Sequence, residues 1–424
     1  MLQPRVLISG ASVAGPALAY WLVRAGCKVT VVERASRLRA EGQGIDVRDT
    51  ARDVIRQMGL FDEIKSKSSN EEGIRLMTKH DKVLAAFGVD ADSGKGESAT
   101  CDIEILRGEL AKILVDATKT DVTYIWGDMI ESLHETEKEI GVHFANSTPD
   151  ASFDLVVGAD GIGSKIRDLA FPKDLIHFRD LNTYISYFSI PKGEQDDMWA
   201  KVAWVGKGRY MAMRPDNIGR TRVFLNVTGY LDSDERLARF RKVLKEGVPA
   251  QKALLQELFE DAGWEASRLL EGMHQSDDFY LQHVAQVKID KWSTPSGRVT
   301  MVGDAGFAPS PFSGMGTSIA FIGAYVLAGE ISKQLENIPA ALESYERILR
   351  PYVEDIQSLP PGIPWALIPQ SNIGVKLLET VFRTIGFLSR TGVTTVIGNI
   401  LGYLPFAGGV KFKLPEYEAF KKRS

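Results

Sequence analysis

Arg5-Val6-Leu7-Ile8-Ser9-Gly10-Ala11-Ser12-Val13-Ala14-Gly15 runs from a β-branched-rich strand through a glycine turn into an apolar helical stretch that ends at Ala25-Gly26. Lys28 to Val32 then supplies a second strand, so residues 5–34 form a βαβ unit with a right-handed crossover and parallel strands. The turn fits the G-x-G-x-x-G spacing except that Ser12 stands where the middle glycine belongs. Gly10 permits the tight turn, and Gly15 lets helix and strand approach closely. The helix start presents unpaired N–H groups to a pyrophosphate. Glu33 lies 18 residues past Gly15, near the roughly 20-residue spacing of a ribose-binding acid. Ser12 costs some backbone clearance but is small and adds a hydroxyl. Ala14 and Arg34, flanking these groups, join the candidate cofactor contacts.

Downstream, a helix is expected over Asp49–Met58 with Gly59 as its stop, then short extended pieces at 72–78 and 82–87 and a helix from Gly108 to Thr118. Segments 122–126, 129–135 and 140–145 read as a small antiparallel meander. Phe153 to Val157 has the near-continuous apolar character of a buried parallel strand. It opens a second block, Asp154-Leu155-Val156-Val157-Gly158-Ala159-Asp160-Gly161, followed by Ser164 and Arg167. Between about 175 and 290 the pattern changes to strands at 182–190, 200–205, 209–214 and 221–228, helices at 232–246 and 250–259, and an extended segment at 278–289. That is an α+β insertion between two parts of a parallel-sheet domain. A buried strand returns at 298–302. A third block follows it, Gly303-Asp304-Ala305, then Pro311 and Gly314-Met315-Gly316-Thr317 at the start of a long apolar helix.

These three blocks, in this order and at these separations, resemble the class A FAD-dependent aromatic hydroxylases, the para-hydroxybenzoate hydroxylase-like flavoprotein monooxygenases. The resemblance covers nearly all of residues 5–357. It implies an α/β fold: a discontinuous Rossmann-like FAD-binding domain (1–174 and 291–357), an inserted α+β substrate domain (175–290) and a C-terminal helical segment (358–424). Carried over residue by residue, it implies that Gly10 to Gly15 hold the ADP part of FAD and Glu33 the adenosine ribose. Asp304 would bind the ribityl chain, and the Asp160 block would serve both FAD and NAD(P)H. Arg107, opening a helix in Leu106-Arg107-Gly108, and Gly44, in Gly42-Gln43-Gly44-Ile45-Asp46, match groups beside the flavin. Pro311, Gly314, Met315, Gly316 and Thr317 match the turn at the isoalloxazine edge. The chain departs from the family pattern at Gly306 and Phe307, where alanine and histidine are usual, and at Ser12.

The turn at Pro311–Thr317 also has its own physical logic. A glycine-rich turn feeding a helix N-terminus points backbone donors and the positive dipole end at developing negative charge. The activity that the resemblance implies is hydroxylation of an aromatic or polyketide-like molecule with NAD(P)H and O2, through a flavin C4a-hydroperoxide. Epoxidation, Baeyer–Villiger oxygenation, a flavin dehydrogenase and a non-catalytic flavin-binding module remain as alternatives. No second dinucleotide fingerprint is present, so NAD(P)H is expected to bind transiently, and the choice between NADH and NADPH stays open.

The substrate side is less specified. Tyr184, Tyr187, Phe188, Trp199, Trp204, Tyr210, Met211 and Met213 lie on the inserted strands, with Arg209 and Arg214 available to a phenolate or carboxylate. Tyr187, Arg209, Met213 and Arg214 are the catalytic candidates. They compete with ordinary sheet core and strand-end surface.

Composition narrows the classes. The 424 residues are 44% hydrophobic and 25% charged with a net charge of −4. This is the balance of a globular enzyme and offers no cationic surface for nucleic acid. Six scattered histidines show no H-x-x-x-H or H-E-x-x-H spacing for a metal, and no G-x-S-x-G elbow marks a hydrolase. Cys27 and Cys101 are too few for a disulfide framework, which fits a reduced, cytoplasmic protein. The apolar stretch Ile373–Val410 is interrupted by Lys376, Glu379, Arg383 and Arg390 on one helical face, so it is read as a helix packed on its own protein with no stable membrane insertion.

Overall fold

Arg5–Ser9 pairs in parallel with Lys28–Glu33 on one side and with Leu155–Gly158 on the other. Val299–Met301 and Val122–Trp126 extend this to a five-stranded parallel sheet in a computed structural model that describes residues 3–38, 42–88, 103–230, 234–360, 362–390 and 411–421. Val6, Leu7, Ile8, Leu155, Val156 and Val157 are fully buried. Helices on both faces remove any polar side from these strands, so they read as unbroken apolar runs. The helices Ala14–Arg24 and Gly316–Lys333 pack against each other over the sheet. The second is buried on nearly all sides, which is why its sequence is apolar throughout rather than striped.

Two expectations change here. Val122–Trp126 joins the parallel sheet beside Lys28–Glu33, and the antiparallel meander consists of Ile130–Glu135, Ile140–Phe144 and Ala151–Phe153. The extended pieces expected at 72–78 and 82–87, within the 1–174 stretch of the cofactor domain, are the strands Gly73–Met77 and Val83–Gly88 and belong to another sheet. Gly73–Met77 pairs in parallel with Trp199–Ala203, completing a seven-stranded sheet with the strands Ile176–Pro191, Arg220–Thr228, Arg209–Pro215 and Tyr280–Ile289. An alternating pattern shows that a strand is half-buried but not which sheet it joins.

The two faces of this large sheet differ. Tyr184, Phe188, Met211, Met213, Val223 and Leu225 pack beneath the helices Glu235–Glu246, Val248–Phe259 and Ala266–Gln275, the last of which was not anticipated. Tyr187, Phe224 and Tyr280 occupy the opposite face with Phe312 of the cofactor domain and Ile363 and Ile368 of the C-terminal segment.

The C-terminal helix Asn372–Arg390 lays Val375, Phe382 and Ile385 on Leu76, Leu84 and Trp204, as its amphipathic pattern predicted. Residues 391–410, and Cys101, lie outside the described residues. Lys411–Lys421 has no regular structure apart from one short 3-10 turn and is not helical; Tyr417 fills the space above Gly329, and its hydroxyl donates to Glu330 at 2.9 Å. No described helix is long and apolar enough to cross a membrane. Cys27 is buried and unpaired, and burial pushes its thiol up to about 12.

Candidate functional site

Gly10 joins the three sequence blocks. Its φ of +108° favours glycine, and a Cβ there would lie 2.6 Å from the Ala159 carbonyl oxygen. A Cβ on Gly15 would lie 1.9 Å from the Gly10 carbonyl oxygen, and one on Gly303 would come within 3.2 Å of the Ala14 Cβ. The fingerprint, the Asp-Gly block and the Gly-Asp block thus touch at the carboxyl ends of the parallel strands, where open α/β sheets bind ligands. Ser12 is exposed at the tip of the turn, and the helix Ala14–Arg24 starts without a side-chain cap, leaving N–H groups for an outside acceptor. Glu33 accepts from the Ala11 and Ala35 N–H groups at 2.9 and 3.0 Å, which holds its carboxylate against the turn. Arg34 is exposed beside it.

Asp304 lies across the cleft, accessible to a small molecule yet ringed by protein. That confinement pushes its carboxyl above the usual range, while the nearby Arg107 opposes the shift. A Cβ on Gly316 would make an ordinary 3.7 Å contact with Asp304 Oδ1, so the helix start and the carboxylate share one wall. Pro311–Ser313 is a single 3-10 turn, Gly314 adopts φ +64°, and Met315 turns its side chain into the core. Pro311, Gly314, Gly316 and Thr317 keep accessible surface on the cleft side. The segment leading to them is clamped by two buried amides: Gln286 donates to the Pro309 carbonyl at 3.0 Å, and Gln357 to the Ala308 carbonyl at 3.1 Å.

Gly44 lies in the short strand Gly44–Asp46 paired with Glu104–Leu106, and Arg107 donates its N–H to the Gln43 carbonyl at 3.1 Å. Asp160 has a mainly structural job. It accepts from the Lys165 N–H at 2.8 Å and from the Ser164 hydroxyl, starting the helix Lys165–Ala170. Arg167 on that helix donates to the Ala305 carbonyl at 3.0 Å and the Ile162 carbonyl at 2.7 Å, which locks the second block to the third. Phe307, standing where the family carries histidine, points into the core against Trp292 at 4.5 Å.

The four catalytic candidates separate. Tyr187 faces the cleft side, stacked on Tyr280 at 4.7 Å and edge-on to Phe224 at 5.2 Å. Burial pushes its phenol well above the usual value, and nearby Arg107 works against that. Arg214 is on the same face, because paired residues in adjacent strands share a face and Ala212 pairs with Phe224. Met213 and Arg209 are corrections. Met213 is 4% exposed in the core under the helices, and Arg209 is also 4% exposed, tied to Asp261 at 2.6 Å and to the Gly206 carbonyl at 3.1 Å. Neither reaches the cleft, because odd-numbered residues of this strand point to the helix-covered side.

Tyr280 donates to the side-chain oxygen of Gln43, closing the aromatic face against the loop that carries Gly44. The crevice left among Gln43, Tyr187, Phe224, Arg222 and Tyr280 has only about 10 Å³ of free volume. A separate recess of about 370 Å³ is lined by Arg179, Lys288, Trp292, Arg350 and Gln357, but by none of Gly10, Asp304 or Gly316. Among the described residues no group of three or more His, Cys, Asp or Glu side chains could hold a metal ion.

Sequence reading missed Gln43, Glu71, Glu104 and Arg222. Glu104 carried a signal, a single charge inside the apolar run Ile103–Leu106; Glu71 carried none. The site fits FAD on its own geometry: an uncapped helix start behind a glycine turn, an acid at the second strand's end, and a confined carboxylate beside a glycine-lined helix start.

Residues 3–358 match the family described as FAD binding domain. A monooxygenase of Cercospora beticola is 37% identical over 98% of this chain and 97% of its own. A flavin-dependent monooxygenase of a Phoma species is 36% identical over 94% of this chain and 95% of its own. Among solved structures, the tetracycline destructase Tet(55) superposes with a TM-score of 0.77 at 31% identity, covering 98% of this chain and 99% of that one.

Proposed function

The chain belongs to the FAD binding domain family of flavin-dependent monooxygenases, and from that premise we propose that it hydroxylates an aromatic or polyketide-like small molecule with NAD(P)H and O2. Bound FAD supplies electron transfer from the nicotinamide and activation of O2 for transfer of one oxygen atom. The observation that carries the reading is the continuity of the two walls. Phe312, in the turn that leads to Gly316, packs with Tyr187 and Tyr280 of the large sheet, and Tyr280 donates to Gln43 in the loop that carries Gly44.

Each group has a task in this reading. Gly10, Gly15 and Glu33 hold the adenine-nucleotide end, and Asp304 takes a ribityl hydroxyl. The helix start at Gly316–Thr317 directs N–H groups and its dipole at the ring's polar edge. Tyr187, Phe224 and Tyr280 present flat apolar surface, and a substrate ring enters by separating Gln43 from Tyr280. Ile363 and Ile368 exclude water from that side. The named activity of the destructase neighbour supports a flat polycyclic substrate.

The test uses FAD-reconstituted protein reduced by NADH or NADPH without oxygen, then mixed with isotopically labelled O2 and a panel of polycyclic phenols. Hydroxylated product carrying one labelled oxygen is expected. Labelled epoxide or ester would assign a different oxygenation, and turnover with an electron acceptor in place of O2 would point to a dehydrogenase.

A further inference from the structure

The C-terminal helix Asn372–Arg390 is apolar on two sides. Val375, Phe382 and Ile385 face inward onto Leu76, Leu84 and Trp204. On the outward side Ile373, Leu377, Val381 and Phe387 are 81%, 66%, 44% and 67% exposed. These are four of the ten large apolar side chains left exposed among the described residues, and all four lie on this one helix. At 3.6 residues per turn their positions share a sector of about 120°. The threonines within that sector add no free polar group. Thr380 donates its hydroxyl to the Lys376 carbonyl at 2.8 Å, and Thr384 to the Thr380 carbonyl at 2.9 Å, so both turn back onto the helix.

The charges that interrupt this apolar sequence do not face outward. Lys376, Glu379 and Arg383 fall on one flank, between the inward and outward apolar sides. Lys376 and Arg383 border the outward row; both are exposed, and neither has an ion-pair or hydrogen-bond partner for its side chain among the described residues. Glu379 lies nearer the inward side and is half-buried.

Single apolar side chains at a surface need no explanation, but a continuous row with an unpaired cationic border does. The row is a ridge on one helix, with no groove for a partner segment. A stable protein interface buries about 800 Å² on each side, more than four side chains of one helix supply. A lipid surface needs no such area: an apolar row sinks below the headgroups while basic side chains beside it meet the phosphates.

We propose that Asn372–Arg390 is a peripheral membrane-docking helix, which lays Ile373, Leu377, Val381 and Phe387 on an anionic lipid bilayer with Lys376 and Arg383 at its headgroups. Nothing crosses the bilayer, and the proposal stands apart from the oxygenation chemistry. The chain enters this helix from Ile363 and Ile368, which pack with Tyr187, so a few residues join the docking surface to the substrate side.

The experiment floats the FAD-saturated full-length protein with vesicles of phosphatidylcholine alone or of an equimolar mixture with phosphatidylserine. The protein should float with the mixed vesicles and at least about tenfold less with phosphatidylcholine, as expected for two headgroup-facing cations. Leu377→Asp and Phe387→Asp should each lower vesicle partitioning about tenfold or more, the scale of one apolar side chain kept in water. Their melting temperatures and FAD content should match the wild type, because both side chains are exposed. Lys376→Glu combined with Arg383→Glu should remove the preference for phosphatidylserine. A membrane-impermeant maleimide should label Leu377→Cys above the wild-type background in free protein and lose that access on mixed vesicles. Absence of flotation would overturn the proposal, as would flotation that both folded aspartate variants retain. A Leu377→Cys thiol protected in free monomer would show the row covered by this chain itself. A dimer in light scattering that Leu377→Asp dissociates would assign the row to a second copy. Either result would also overturn it.

Discussion

Gly10 and Gly316 both border the cofactor cleft, but a side chain at each meets something different. At Gly10 it meets the protein itself, the Ala159 backbone at 2.6 Å, in a left-handed conformation. Gly10→Val should therefore abolish the folded state, read as loss of a cooperative thermal transition. At Gly316 the added Cβ meets only Asp304 Oδ1 at 3.7 Å. Gly316→Val should leave the apoprotein's stability within about 1 kcal/mol, a helix-start substitution, but raise the FAD dissociation constant at least tenfold, because the new side chain occupies the space the ring needs. A Gly316→Val protein that binds FAD normally would remove this helix start from the flavin seat. Asp304→Ala should weaken FAD by roughly 1.5–3 kcal/mol, the scale of a hydrogen bond to a charged group. An unchanged FAD affinity would dissociate Asp304 from the ribityl chain.

At the level of elements, the short ladder Gly44–Asp46 with Glu104–Leu106 connects the two sheets through Glu104 and Arg214. A carboxyl whose folded value is raised above its ordinary 4.5 holds a proton that the unfolded chain has released. Its contribution is present in full below about pH 4.5 and is lost as pH rises through the folded value. Glu104→Gln copies the protonated form, so urea melts of the variant and the wild type should agree near pH 4.5. They should diverge in the variant's favour as pH increases; a constant difference across pH would show that Glu104 keeps no proton. The C-terminal strap makes a second element-level test. Tyr417→Ala empties the space above Gly329 and strips Glu330 of its hydroxyl donor, a change that should cost about 3–5 kcal/mol, measured by chemical denaturation.

These elements also show what the chain discloses before folding. The βαβ unit was legible because its signals are local: apolar period, glycine spacing and an acid at a set distance. The approach of Gly10 to Ala159 was implied only by the order of the blocks. The pairing of Gly73–Met77 with Trp199–Ala203 and the Arg214–Glu71 fork were not legible, because both join residues far apart in sequence whose local patterns fit several partners.

At the scale of the whole molecule, the large sheet works as a partition. One face is sealed by three helices and the other meets the cofactor domain and the C-terminal segment, so in the strands beside the cleft the parity of a residue decides whether it serves stability or binding. Sequence could place Tyr187 and Met213 on strands but could not tell which face each joined, because both faces are apolar. Tyr187 stacks on Tyr280 on the cleft side, and Met213 lies among Leu225, Leu269 and Met273 on the helix side. Met213→Ala should therefore cost about 2–5 kcal/mol of stability. At temperatures where it stays folded, it should leave substrate affinity and coupling of NAD(P)H oxidation to product unchanged. Tyr187→Ala opens its cavity toward the substrate instead. It should raise the substrate dissociation constant about tenfold, in line with the loss of one aromatic stacking contact, and divert NAD(P)H oxidation from product while FAD stays bound. Measuring denaturation midpoint, FAD content, substrate affinity and the ratio of product to NAD(P)H consumed in both variants separates the two faces. If Met213→Ala uncouples the reaction while Tyr187→Ala only destabilises the fold, the substrate lies on the helix-covered side and the partition runs the other way.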